Sequence, residues 1–287
     1  MKQISYSMGI LLGFIGGIAL SFGGVIFRAM DNPDEWQILF YRTFSFLLVV
    51  TLFMLIRHKG RVIAPTLAIG KAGLLGGTFL GFGFCFYVFA LLNTTVASAL
   101  FLLSGGPLMT ALLAWLLIKE KINKMTAFAI ILTMGGVAVM VNEGLGSGNI
   151  FGDICALAAA LMFGLMVICY RSKPGVDMVP ATGWAGLVAM VISAIMMPGF
   201  EIDAHNLYLA LLLGVVTVGI GFILLTLASS SVPSAELSLI ALSEAVFGPI
   251  WVWLVFDISP ASATLIGGAI VFFALMLYVY AAKRRSQ

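Results

Sequence analysis

Two ionisable side chains stand out because of where they fall. Glu244 lies in the middle of residues 234–253, an otherwise apolar stretch long enough to cross a bilayer. Arg42 lies six residues past Trp36 in another such stretch, roughly 9 Å along a helix at 1.5 Å per residue. Ionisable groups at such depths are costly in hydrocarbon, and by default they face a polar pathway or a partner. Glu244 cannot reach either surface from mid-helix. It is a candidate to bind and release a proton, or else a neutral carboxyl hydrogen-bonded to a neighbouring helix. For Arg42 three roles are open: gripping a substrate carboxylate or phosphate or forming part of a gate, pairing with Glu244, or snorkelling to the outer surface. Ser243 adjoins Glu244 and Trp251 follows it by seven residues, so hydroxyl, carboxylate and indole are expected to line one cavity. Glu236 sits near the end of the same stretch, where exposure is cheap, and is expected to carry no function.

Breaks in the helices point to the same region. Pro107 follows Ser104-Gly105-Gly106, and Pro249 follows Gly248. A proline inside a helix frees a carbonyl, and flanking glycines remove side-chain bulk, so both sites are expected to interrupt their helices beside a central binding site. Ser104, Tyr41 and Tyr87 complete the candidate substrate-binding set. Among the aromatics, those at helix ends such as Trp36, Trp115, Trp184 and Trp253 read as interfacial anchors. Gly9, Gly13, Gly17 and Ser21 recur every fourth residue, as do Gly73, Gly77 and Gly81. On a helix these stack into strips that allow close backbone approach, for static packing or for sliding.

The elements that carry these residues follow from composition. Of 287 residues, 62% are hydrophobic and 9% charged, too few charges to cover a soluble core of this size. The apolar runs are too long for barrel strands, leaving an all-α integral membrane protein. No basic tract interleaves with aromatics, so nucleic acid is not an expected partner. Cys85, Cys155 and Cys169 fall inside apolar runs with no CxxC and no adjacent histidine, so no disulfide framework, metal site or cofactor is indicated. His58 and His205 are expected in loops on opposite sides of the membrane, too far apart to act together, so no enzyme is expected. An integral membrane enzyme acting on lipid-linked substrates and a channel-like facilitator are the alternatives to a carrier; nothing in the sequence resembles a filter loop or a nucleotide-binding motif.

Ten spans can be marked, at about 8–27, 36–56, 71–91, 96–118, 125–141, 151–170, 179–197, 207–228, 234–256 and 261–281, each near the ~20 residues a spanning helix needs. The first is read as a true helix rather than a cleaved leader, because its apolar core is too long and a second span follows at once. With both termini cytoplasmic, 13 of the 15 Lys and Arg residues fall on the cytoplasmic side, leaving only Arg28 and Arg42. A glycine-rich linker, residues 142–149, divides the chain into halves of five helices, 1–144 and 145–287. Gly9 pairs with Gly152 and Arg28 with Arg171 at one offset of 143 residues; Ser98 pairs with Glu236 and Trp115 with Trp253 at 138. An odd number of helices per half inserts the second half upside down, the inverted-repeat plan of secondary transporters, with the site near the midplane.

The chain resembles the ten-helix EamA-type members of the drug/metabolite transporter superfamily over nearly its whole length. The likeness rests on the fourth helix of each repeat. Small residues 96–99 lead to Gly106-Pro107, then an Ala/Leu/Trp run through Trp115 that closes at Lys119-Glu120. The second copy has Glu244-Ala245 where a Glu-Pro is usual, its proline standing instead at Pro249. Phe256-Asp257-Ile258 replaces the closing Gly-Glu, and helix 1 reads Ser21-Phe22-Gly23-Gly24 rather than aromatic-Gly-Ser-Asn. An arginine early in helix 2 matches at Arg42. The resemblance implies export, or sometimes uptake, of small metabolites such as amino acids. Taken with Glu244, the expected protein is a secondary transporter of a bacterial inner membrane, with protons a candidate coupling ion.

Overall fold

The computed structural model describes residues 4–31, 34–94, 96–141, 150–173, 175–257 and 262–285. All regular structure among them is helical. The first part of the chain forms α1 (Tyr6–Arg28), α2 (Glu35–Arg57), a short α3 (Ile63–Ala68), α4 (Gly70–Asn93), α5 (Val96–Ser104), α6 (Gly106–Ile118) and α7 (Lys124–Val141). The second part forms α8 (Ile150–Arg171), α9 (Val179–Met196), α10 (Ala204–Leu212), α11 (Gly221–Ser229), α12 (Ser234–Ala241), α13 (Ser243–Phe256) and α14 (Ser262–Arg285). Residues Leu213–Ile220, between α10 and α11, widen into a π-helix. The expected linker, residues 142–149, lies outside the described residues.

Among the described residues, eight stretches are long and apolar enough to span a membrane: α1, α2, Gly70–Leu91 of α4, residues 101–118, α8, α9, residues 204–229 and residues 234–256. Two shorter apolar helices cover residues 124–139 and 262–278. This is a multi-pass membrane protein. Local chemistry sets several helix starts. The Ser5 hydroxyl accepts from the Met8 amide at 3.3 Å, and the Asp34 carboxylate accepts from the Gln37 amide at 2.9 Å. Each satisfies an amide that has no partner inside its helix.

Packing repeats across the two halves. α1 lies against α11 and the π-segment, as α8 lies against α4; α1 also packs on α12 and α13, as α8 packs on α5 and α6. α2 pairs with its counterpart α9, and α7 with its counterpart α14. The first glycine strip serves this packing: Gly13 and Gly17 meet α12 and α13, and a side chain at Gly17 would collide with the Ser243 hydroxyl.

The helix interruptions also repeat, though one differs from the sequence expectation. α5 and α6 meet at Gly105, whose amide donates to the Leu102 carbonyl at 3.1 Å; α12 and α13 meet at Leu242, whose amide donates to the Leu239 carbonyl at 3.2 Å. Both turns are tightened to the i→i−3 pattern. α6 and α13 then end on left-handed residues, Lys119 (φ 55°) and Asp257 (φ 54°), which share the offset of 138 residues. Pro107 stands in the first turn of α6, where a missing amide removes no intrahelical bond. Gly248 and Pro249 do not break the second helix. Pro249 lies inside α13, and the break comes seven residues earlier, because the Leu239–Leu242 turn has already ended α12.

Candidate functional site: a central cavity

A cavity of about 160 Å³ lies between the two halves, and its two charged residues are Arg42 and Glu244. α1, α2, α4, α8, the π-segment, α11 and α12 all face it, together with the α5–α6 and α12–α13 interruptions. Its walls are mainly apolar, with Phe84, Phe163 and Phe222 among them. A mainly apolar concave site with a few converging polar groups is the usual form of a small-molecule site.

Arg42 is 3% exposed, and its Nε and Nη2 have no hydrogen-bond partner among the described residues. The guanidinium carbon stands 5.5 Å from the centre of the Phe84 ring. Its backbone is fixed from behind: the Ser45 hydroxyl donates to the Arg42 carbonyl at 3.1 Å and to the Leu211 carbonyl at 2.9 Å. Gly214 of the π-segment presses on the same carbonyl, and any Cβ there would collide with it and with the Ser45 hydroxyl. The π-segment thereby sits close enough to α2 to hold Arg42 over the cavity. Burial places Arg42 beyond snorkelling range, and among the described residues no ion pair or hydrogen bond joins it to Glu244.

Glu244 enters from the first turn of α13, directly after the interruption at Leu242. Tyr87 lines the cavity from α4, within electrostatic reach of both charges. Ser238 adds a hydroxyl that donates to Thr110 of α6 at 3.0 Å. Thr217 enters from the π-segment. What converges is a guanidinium with free donors, an acceptor-only or proton-carrying carboxyl, a phenol, and aromatic walls. That set can hold a small molecule with an anionic group, a second polar group and an apolar body.

Of the candidates read from sequence, Arg42, Glu244, Tyr87, Gly106 and Pro107 line the cavity, and Ser243, Trp251, Tyr41, Ser104, Gly248 and Pro249 do not. Neighbouring residues on a helix point about 100° apart, so Ser243 turns towards Gly17 of α1 while Glu244 faces the cavity. Trp251 stands two turns from Glu244, past the cavity. Its indole stacks on Phe22 at 4.6 Å between ring centres, and its Nε1 donates to the Ser21 hydroxyl at 2.8 Å. The Tyr41 hydroxyl donates to the Phe200 carbonyl, and the Ser104 hydroxyl to the Phe101 carbonyl. Thr217, Ser238 and the phenylalanine walls were missed. Phenylalanines in apolar runs carry no signal that separates a cavity from lipid. Thr217 lies between the two glycines of a valine-rich run, Gly214 and Gly219, which is the one local clue to an irregular helix.

Glu236 also departs from the expectation of cheap exposure. It is 6% exposed, because hydroxyls from three other helices supply the hydrogen bonds that water would give.

The two halves of the chain, residues 7–142 and 150–280, each match the model of the EamA-like transporter family. The chain belongs to that family. Membership agrees with the paired packing of the helices and with the resemblance carried by the Gly106–Glu120 and Glu244 regions. The fold is similar to that of a protein of known crystal structure, with a TM-score of 0.81 at 18% sequence identity, covering 98% of this chain and 99% of that one. No curated protein sequence matches the chain.

Proposed function

We propose that this EamA-family protein is a secondary transporter that exports a small amphipathic metabolite, such as an amino acid, by alternating access. The observation that carries the reading is the buried Arg42 guanidinium, two of whose nitrogens have no hydrogen-bond partner among the described residues, in a central cavity that Glu244 also lines without an ion pair to it among those residues. Leaving such donors unsatisfied is costly, and a substrate anion would satisfy them bidentately. Arg42 takes the anionic group, the phenylalanine walls take the apolar body, and Glu244 binds the second polar group or carries a coupling proton.

In this reading ten helices form two inverted five-helix repeats, residues 1–144 and 145–287, with both termini cytoplasmic in a bacterial inner membrane. The charge distribution of the loops supports the orientation. Reciprocal packing of α1 and α8, and the matched breaks at Gly105 and Leu242, support the repeat. Gly106 and Glu244, just past the breaks, line the cavity, which supports a site served by an irregular helix from each half.

A thermal-shift screen of the purified protein against amino acids, nucleosides and organic acids tests the reading. A true ligand raises the midpoint with concentration. The expected hit carries a carboxylate or phosphate, and its shift is lost in Arg42→Met. A hit with no anionic group, or one that stabilises Arg42→Met equally, refutes the assignment of Arg42.

A further inference from the structure

Beyond the cavity, a polar cluster is built around Glu236, on the first turn of α12. Its Oε2 accepts from the Tyr6 hydroxyl of α1 at 2.7 Å and from the Tyr278 hydroxyl of α14 at 2.6 Å, the two phenol oxygens being 3.2 Å apart. Its Oε1 accepts from the Thr126 hydroxyl of α7 at 3.2 Å. Four helices thus meet on one carboxylate. Glu120 and Lys121 line the small recess beside it, and among the described residues no ion pair joins Lys121 to it. The same end of α12 is tied a second time. Glu120 Oε2 accepts from the Ser234 amide at 3.2 Å, while its Oε1 pairs with Arg171 Nε of α8 at 3.2 Å.

Position gives the cluster its meaning. Ser238, two residues further along α12, already lines the cavity, whereas Glu236 does not. Tyr6 and Thr126 stand in the first turns of α1 and α7, at the ends that the charge distribution puts on the cytoplasmic side. At the opposite end the cavity runs out to Phe27, next to the last residue of α1.

We propose that the Glu236 cluster is the gate closing the cavity towards the cytoplasm, with Glu236 as its hub. The inference rests on the transporter reading for its direction. A carboxylate and hydroxyls suit this task better than an apolar plug, since each group exchanges its protein partner for water when α12 moves aside. Displacing α12 breaks three hydrogen bonds to one charged group together, so the closed state is held cooperatively. The pseudo-equivalent residue of the first half is Ser98, so the sequence supplies the carboxylate hub on one face only.

The test is thiol accessibility. In a background with Cys85, Cys155 and Cys169 replaced by alanine, Ala241→Cys places a thiol on the cavity wall. A membrane-impermeant maleimide is then applied to right-side-out and inside-out vesicles, with Glu236→Gln, Tyr278→Phe or the milder Thr126→Val added. Labelling from the cytoplasmic face is expected to rise about tenfold or more in Glu236→Gln and Tyr278→Phe, the effect of losing one charge-assisted hydrogen bond, and less in Thr126→Val. Rates unchanged in all three variants overturn the gate, and so does a rise from both faces alike, which marks a loosened fold. A rise confined to the opposite face upholds the gate and overturns the assigned orientation instead.

Discussion

Replacing Arg42 by methionine should raise the stability of the ligand-free protein and abolish ligand binding. The guanidinium is 3% exposed, and its Nε and Nη2 have no hydrogen-bond partner among the described residues. An unsatisfied buried donor costs about 1–3 kcal/mol, more when charged, so removing two of them should stabilise by about 2 kcal/mol or more. Methionine roughly fills the stem volume and replaces the guanidinium–ring contact with Phe84 by a sulfur–ring contact of similar worth. At about 2–4 °C per kcal/mol, the thermal midpoint of detergent-purified protein should rise by about 4 °C or more. Binding moves the other way. Two charge-assisted hydrogen bonds of about 1.5–3 kcal/mol each correspond to a weakening of about 100-fold or more. Both numbers come from thermal melts with and without the ligand identified by screening. If Arg42 were a structural pairing residue, Arg42→Met would lower the midpoint. A fall of the midpoint, or unchanged affinity, refutes the reasoning.

Three further outcomes follow from the same geometry. Glu244→Gln should reduce transport or flatten its pH dependence at normal expression, measured as proteoliposome flux across pH; full activity at every pH removes Glu244 from the mechanism. Gly214→Ala should weaken ligand binding and destabilise by about 1–3 kcal/mol, because its methyl group collides with the Arg42 carbonyl; thermal melts and titration read both. Trp251→Phe keeps the stack on Phe22 and loses the bond to Ser21, so it should cost about 1 kcal/mol while leaving ligand affinity unchanged.

Much of the helical plan was legible because membrane spans announce themselves by length and composition, and the repeat by its two offsets. The same signal identified Arg42 and Glu244, since a charge in an apolar run is visible in one dimension. What it could not show was direction. Ser243 and Glu244 are adjacent in sequence, yet one packs against α1 and the other faces the cavity. Trp251 looked like a ligand contact by periodicity, but the cavity ends before its turn. Pro249 suggested a break, while the break at Leu242 has no proline or glycine to mark it. The burial of Glu236 was not legible for a related reason. Its three hydroxyl partners come from the two ends of the chain and from its middle, at Tyr6, Thr126 and Tyr278, and no local pattern brings them together.

Counterflow in proteoliposomes tests the central claim most directly. Vesicles preloaded with the unlabelled ligand found by screening should transiently accumulate the labelled compound, saturably, and Arg42→Met vesicles should not. Flux that is linear in concentration and indifferent to preloading, or counterflow preserved in Arg42→Met, contradicts a carrier built around Arg42.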